Sequence, residues 1–273
     1  CIRDRDNSFE SAEEQAAFDV YDANNINPLY GFFVARAGLG ASESMRSKLA
    51  EYNDPRLSRA FITKQGTSGK EQAPGTADNA VYAPNGTPEQ GTSKYGTSLF
   101  MYSISAPTLL LSYHELKFLE AEALCRLERD AKSALKDAVV AGLLNAENSF
   151  TISRKELGKT LINAASSITE AEAESYFDNT IEAKYTAEPL KTTMTQKYFA
   201  LWGASGEATE SYNDVRRMKG LGENFIELKN PNSFPLRCPY GNSDTTTNAE
   251  VKAAYGNGQY VYSENVWWAG GSR

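Results

Sequence analysis

Histidine is almost missing from this 273-residue chain, which contains one, His114. A Ser-His-Asp or Cys-His arrangement would have to be built on that single residue, and no G-x-S-x-G nucleophile elbow accompanies it. A metal site made of several histidines is excluded outright. Cysteine is scarce as well. Cys1, Cys125 and Cys238 are too few and too far apart for a disulfide framework or a zinc site. No apolar run approaches the length that crosses a bilayer. The first residues do not read as a signal peptide, so the sequence is taken as a mature form or a fragment. Basic residues are also in deficit. Lys and Arg number 28 against 35 Asp and Glu, a formal charge of -7, so nothing draws the chain to nucleic acid or to anionic lipid.

What remains is an ordinary globular composition, 41% apolar and 23% charged, long enough to bury a core. Residues 1 to about 62 mix short helical pieces with turns such as Asn27-Pro28 and Asp54-Pro55. Residues 63 to about 107 are rich in Gly, Thr, Ser, Pro and Asn and read as a long irregular excursion. Residues 108 to about 220 are strongly helical, and the remainder is loop-rich again, closing on Val266-Trp267-Trp268. Gly69-Lys70 superficially suggests a phosphate-binding loop. That motif needs Gly five residues earlier and Ser or Thr after the Lys, where this chain has Lys64 and Glu71, so the motif is rejected.

The helical zone is well punctuated. Ser112 with Glu115, Ser153 with Glu156 and Thr169 with Glu172 each fit a capping box, which predicts three helix starts. Pro189 suits a first turn, and Gly220 and Gly222 suit a helix stop. Between Tyr113 and Glu128, Leu116, Leu119, Ala123 and Leu127 fall on one face, with Phe118, Ala121 and Cys125 nearly opposite. Such a helix is expected to be clamped on both sides, as in stacked helix pairs of the tetratricopeptide kind. Glu115, Glu120, Glu122 and Glu128 fall on the stripes between and are expected in solvent. The next segment carries one stripe, Ala131, Ala134, Leu135, Ala138, Val139 and Gly142, as an outer partner helix should. His114 reads as the neighbour of a helix cap, Cys125 as a small buried hydrophobe, and Trp202 as core. Trp267 and Trp268 are expected to pack the chain end down. Asp214, Arg216 and Arg217 are read as a structural ion-pair network rather than an anion site.

Several blocks resemble the SusD/RagB family of outer-membrane lipoproteins, in particular its SusD-like branch. They are Pro107 to Ala123, with its Leu-Ser-Tyr-His-Glu-Leu-Lys-Phe-Leu-Glu-Ala-Glu-Ala run; Gln196-Lys197-Tyr198-Phe199-Ala200-Leu201-Trp202, followed by Glu207-Ala208 and Asp214-Val215-Arg216-Arg217; Pro235 to Tyr240; and Val266-Trp267-Trp268. Asn27-Pro28-Leu29-Tyr30 and Asn53-Asp54-Pro55-Arg56-Leu57 are similar to loop segments ahead of the family's main helix. The resemblance implies a mainly α fold, a tetratricopeptide-like helical scaffold with a large loop-rich ligand-facing region. It implies one domain portion over 1–273, with a ligand- or transporter-facing zone at 1–107, a scaffold at 108–220 and a C-terminal loop region at 221–273. Family members are commonly longer, so the chain reads as a C-terminal portion. Cys1 is then either a lipidated first residue or an internal residue of a fragment.

The resemblance also implies a function: capture of oligosaccharide or peptide nutrients at the extracellular face of the outer membrane. Delivery would be to a SusC-like TonB-dependent transporter, with a lipid anchor on the full-length protein. It calls for no catalysis, no cofactor and no nucleic acid, with a structural calcium left open. Sugar rings offer apolar faces that stack on aromatic side chains while polar groups fix the hydroxyls, and fifteen tyrosines suit that task. The aromatic residues expected at the ligand are those in loops: Tyr30, Phe32 and Phe33 after the Asn27-Pro28 turn, and Tyr82 and Tyr95 in the excursion. Asn79, Asn85 and Gln90 are the expected hydroxyl partners. Two other readings stay open, a carboxylate-dependent glycan hydrolase and a helical-repeat interaction scaffold that binds no ligand.

Overall fold

The structure, a computed structural model, describes residues 8–36, 40–65, 70–72, 82–85, 95–158, 161–162, 165–204, 206–229 and 233–271. The chain separates into two compact units, Cys1–Glu227 and Leu228–Arg273.

In the first unit a short strand β1 (Ala16–Phe18) precedes helices α1 (Pro28–Arg36) and α2 (Glu43–Glu51). Strands β2 (Phe61–Gln65), β3 (Lys70–Gln72), β4 (Thr97–Ser98) and β5 (Thr108–Leu111) follow, and β5 leads into the helices α3 (Tyr113–Arg126) and α4 (Lys132–Leu157). After β6 (Leu161–Ile162) come α5 (Glu170–Tyr176), a π-turn over Phe177–Ile181, α6 (Glu182–Ala187), α7 (Pro189–Ala200) and α8 (Ala208–Gly220). The mainly α expectation is met. The excursion is less irregular than its composition suggests, because parts of it pair into a four-stranded sheet of order β4-β2-β3-β6. β5 instead pairs antiparallel with β1.

The 26-residue α4 is the spine. Ala134, Leu135, Ala138, Val139, Leu143, Ala146 and Phe150 recur at helical spacing and are all buried, the single stripe that the sequence shows. That periodicity runs on through Ser153 to Leu157, so the predicted helix start at Ser153 does not exist. Its hydroxyl instead bonds the carbonyls of Ser149 and Leu99, inside the helix. The other two caps are real. Ser112 Oγ accepts from the Glu115 amide at 3.0 Å and Thr169 Oγ1 from the Glu172 amide at 3.2 Å. The Glu of neither box returns to its cap. The Ser112 amide is taken by Glu207, and Glu172 is taken by Arg59. Pro189 opens α7, and Gly222, at φ 78, follows the end of α8, both as expected.

Only one face of α3 is clamped. Phe118 and Ala121 are fully buried against the core, and Cys125 is half-buried with Sγ 3.6 Å from Thr193 Oγ1. On the other face Leu119 is 41% and Leu127 64% exposed, because α4 and α7 both pack on the Phe118 side. An aromatic group locks the sheet to the helices. Phe100 lies 4.7 Å from Phe150 and 5.1 Å from Trp202, and Trp202 lies 5.3 Å from Phe61. Trp202 is therefore part of the core, as expected.

The Asp54-Pro55-Arg56 turn is tied to this core by a fully buried fork. Arg56 donates from Nε to Asp54 Oδ1 at 2.8 Å, from Nη2 to Asp54 Oδ2 at 2.6 Å, and from Nη1 to the Phe199 carbonyl at 2.7 Å. Tyr176 on α5 donates its hydroxyl to Asp54 Oδ2 at 3.3 Å.

In the second unit α9 (Asn242–Thr247), α10 (Ala249–Tyr255) and α11 (Tyr260–Ser263) surround three tyrosine rings. Tyr240 stands 4.7 Å from Tyr255 and 5.6 Å from Tyr260, and Arg237 Cζ lies 5.5 Å and 5.4 Å from the Tyr240 and Tyr260 rings. Trp267 and Trp268 do not pack the end down. They form an edge-to-face pair of rings that are 56% and 70% exposed.

α4 and α7 cross at Gly142, where an added Cβ would stand 2.9 Å from Ala200 Cβ. Gly142→Ala is expected to lower unfolding stability by about 1–3 kcal/mol through overpacking. Gly220→Ala, which meets nothing within 4 Å, is expected to be neutral or slightly stabilising. Denaturant melts of the two variants check the pair, and equal midpoints would contradict the close crossing.

Candidate functional site

Asn27 decides where the first candidate residues go. Its buried side chain accepts from the Leu29 amide at 2.8 Å and donates to the Ala106 carbonyl at 2.7 Å, which caps a helix whose first residue, Pro28, has no amide hydrogen to satisfy. Tyr30, Phe32 and Phe33 therefore lie on α1 and not in a loop. The helical turn separates them. Phe33 points into the core, edge-on to Tyr102 with centroids 5.1 Å apart. Tyr30 is half-buried and donates to Glu156 Oε1 at 3.2 Å. Phe32 is 51% exposed and offers its ring outward, beside the exposed Val34.

The second group gathers at the start of α2. Ser42 caps that helix and donates its hydroxyl to Asn85 Oδ1 at 3.1 Å. Backbone bonds between Ala41 and Ala83 and between Ala41 and Gly96 bring the three chain segments together. Tyr95 is buried here. Tyr82 is half-buried, edge-on to Phe61 at 5.2 Å, with Arg46 Cζ 5.4 Å from its ring. The structure thus brings Tyr82, Asn85 and Tyr95 together and places Tyr30, Phe32 and Phe33 on a separate element. Asn79 and Gln90 lie outside the described residues.

Sequence reading missed the exposed Trp267–Trp268 pair and the tyrosine group around Arg237. The spacing of Tyr240, Tyr255 and Tyr260 carries no local signal, because the rings meet only through the turns between three short helices.

The most heavily charged part of the chain is internal. Glu115 and Glu122, expected on solvated stripes, are buried, while Glu120 and Glu128 are exposed as expected. Glu122 accepts from Arg217 at 2.5 and 2.8 Å and from Arg126 Nε at 2.6 Å. Arg126 reaches on to Glu223 at 2.8 and 2.9 Å. Arg217 also bonds Asp214 at 2.9 Å, and Asp214 pairs with the buried Lys197 at 2.8 Å. Lys197 lies 3.7 Å from Glu115. The ion-pair reading of Asp214 and Arg217 holds, whereas Arg216 lies over Tyr212, Cζ 5.6 Å from the ring centroid. His114, buried at the second position of α3, has Nε2 3.7 Å from Glu207 Oε2, and neither atom has a hydrogen-bond partner among the described residues.

Residues 2–240 match a SusD-like family model described as starch-binding and associating with the outer membrane. A solved SusD/RagB family protein from Bacteroides thetaiotaomicron VPI-5482 is 65% identical at a TM-score of 0.86, over 97% of this chain and 57% of that one. A chitin-binding protein is 20% identical at a TM-score of 0.59, over 95% and 56% of the two chains. A SusD homologue from Bacteroides fragilis NCTC 9343 is 19% identical at 0.54, over 93% and 56%. The last two share the fold. The chain spans less than two thirds of the length of each of these structures. No curated protein matches it in sequence.

The buried cluster makes opposing demands on pH. Burial, then a hydrogen bond and repulsion from Glu207, push the Glu115 carboxyl up to about 7, against the pull of Lys197. Burial, then repulsion from Arg56 and Lys197, push His114 down to about 3. Between the ordinary carboxyl value of 4.5 and about 7, folded Glu115 keeps a proton that the unfolded chain has released, so stability falls as pH rises. Between about 3 and the ordinary histidine value of 6.5, the unfolded chain holds a proton that folded His114 lacks, so stability rises with pH. The two slopes cancel where they overlap. Glu115→Gln is expected to leave a stability that climbs with pH across that overlap, and His114→Asn one that declines. Chemical melts at a series of pH values test this, and parallel curves for the two variants would remove the account.

Proposed function

The chain belongs to the SusD-like family, and on that premise we propose that it is part of a cell-surface protein that captures glycan nutrients without transforming them. The observation that carries this reading is the family match over residues 2–240, joined to the 65% identity with a SusD/RagB structure. The captured oligosaccharide is handed to a SusC-like TonB-dependent transporter, and a lipid anchor on the full-length protein holds it at the extracellular face of the outer membrane. Peptide is the alternative cargo.

The architecture supports capture. A scaffold locked by buried ion pairs and an aromatic core holds its outward side chains still, so little ordering entropy is lost when a ligand arrives. Phe32 on α1 and the Tyr82–Asn85 group at α2 supply the aromatic face and the amide that a sugar ring uses. Of the three carboxyls on α3, Glu115 and Glu122 are buried in the ion network and Glu120 is paired with Lys117. That favours binding over glycoside hydrolysis, which needs two carboxyls facing a shared bond.

Calorimetric titration of the intact protein with maltooligosaccharides, chitooligosaccharides and peptides, with product analysis alongside, tests the proposal. Heat from one class of ligand with no cleavage is expected. Phe32→Ala is expected to weaken binding by about two- to tenfold, the worth of one stacking contact. Released product would replace the proposal with a hydrolase, and binding to a protein partner alone would replace it with a scaffold.

A further inference from the structure

An open cleft of about 450 Å³ separates the Asn53–Arg59 turn from α5 and its π-turn. Its volume falls in the range of small-ligand sites. Both walls are held from behind. Arg59 donates to the Ser166 carbonyl and the Pro55 carbonyl at 2.8 Å each and to both oxygens of Glu172 at 2.9 Å, which pins the turn to α5. The floor is the buried Asp54 and Tyr176, already committed to the Arg56 fork.

The rim is different in character. The side-chain amide of Asn53 and the hydroxyls of Ser58 and Thr180 have no hydrogen-bond partner among the described residues. Asn179 gives its amide nitrogen to the carbonyl and hydroxyl of Ser175 at 2.9 Å, which leaves its oxygen unused. Pro55 and Leu57 add apolar surface between these polar groups. Two backbone departures border the same cleft. Asn53 sits at φ 49, in the left-handed region, and the helix takes a π-turn over Phe177–Ile181, a feature that concentrates at functional sites.

We propose that this cleft is a binding site for a neutral, hydroxyl-rich ligand, a saccharide unit. Each charge that lines it is cancelled in place, Asp54 by Arg56 and Glu172 by Arg59, so an ion has no uncompensated partner there. Uncommitted amides and hydroxyls around small apolar patches match the alternating hydroxyl and C–H surface of a sugar ring. The ligand class rests on the glycan-capture reading above. The location of the site rests on the geometry alone.

The test uses the intact protein with maltohexaose and chitohexaose as probes, read by calorimetry and by backbone hydrogen exchange. Variants are Ser175→Trp, which places an indole at the exposed mouth, Asn179→Ala, and Phe32→Ala on α1, outside the cleft lining. The sugar that binds is expected to slow exchange in 53–59 and 172–180. Ser175→Trp is expected to abolish that protection and to lose one site from the stoichiometry or at least about tenfold in affinity, with an unchanged thermal midpoint. Asn179→Ala is expected to weaken binding by about two- to tenfold, the worth of one hydrogen bond. Salt is expected to leave the affinity flat, since no charge is exchanged. If a sugar binds but Ser175→Trp changes neither affinity nor protection, the cleft assignment falls and glycan capture stands. If binding survives Phe32→Ala unchanged but not Ser175→Trp, the cleft stands and the α1 surface loses its role. If neither sugar binds, the saccharide assignment of the cleft falls together with glycan capture.

Discussion

A guanidinium sealed inside a protein must find partners for its donors, and each nitrogen of Arg56 finds one, two on an acid two residues away and one on the carbonyl of Phe199 at the end of α7. The geometry allows little latitude. The bidentate fork to Asp54 fixes the turn, and the bond to the Phe199 carbonyl fixes that turn to the end of α7. Tyr176 then ties α5 to the same carboxylate. Losing either charge would leave the other buried and uncompensated, far costlier than any exposed ion pair is worth. The α2–β2 turn, α5 and α7 thus meet at one polar point within an otherwise apolar core.

The second polar assembly, from Glu223 through Arg126, Glu122, Arg217, Asp214 and Lys197 to Glu115, does the same for α3, α7 and α8. With Glu207 added, five carboxyls meet three cations, a surplus of acid that a buried site cannot leave fully ionised. A proton retained on Glu115 answers that imbalance. Burial raises Glu122 too, but hydrogen bonds from Arg217 and Arg126 outweigh it and leave that carboxyl lowered. Two carboxyls on one helix, about two turns apart, therefore carry different charge because of which cations lie across from them.

What could be read from the sequence divides along the range of the interactions. The caps at Ser112 and Thr169, the first-turn Pro189, the glycine stop after α8 and the buried stripe of α4 all depend on neighbours within a few residues, and each was legible. Glu115 and Glu122 were not, because Arg217, Lys197 and Glu207 lie 70 or more positions along the chain and periodicity carries no trace of them. Tyr30, Phe32 and Phe33 were misplaced in a loop because the Asn27 cap depends on a carbonyl at Ala106. Ser153 had the motif of a helix start inside a stripe that never breaks. The family was legible from whole blocks in order. Which aromatic rings face outward was not, since exposure of Phe32 or Trp268 is a property of the assembled fold.

The π-turn between α5 and α6 is one residue more than an α-helix needs for the same span. Its five residues let Phe177 and Ile181 both reach the core while Asn179 and Thr180 border the cleft. Beyond it, Tyr185 on α6 must arrive at the Ala131 amide, which it does at 2.8 Å. Deleting a single residue there would restore regular winding and swing α6 by about 100° relative to α5. Tyr185 would then leave Ala131, and the α6–α7 hairpin would lose its register on α4. Substitutions along this helix are open to gradual change, but its residue count is not. In descendants of this sequence the segment between Glu170 and Ala187 is expected to vary in letters while keeping its length.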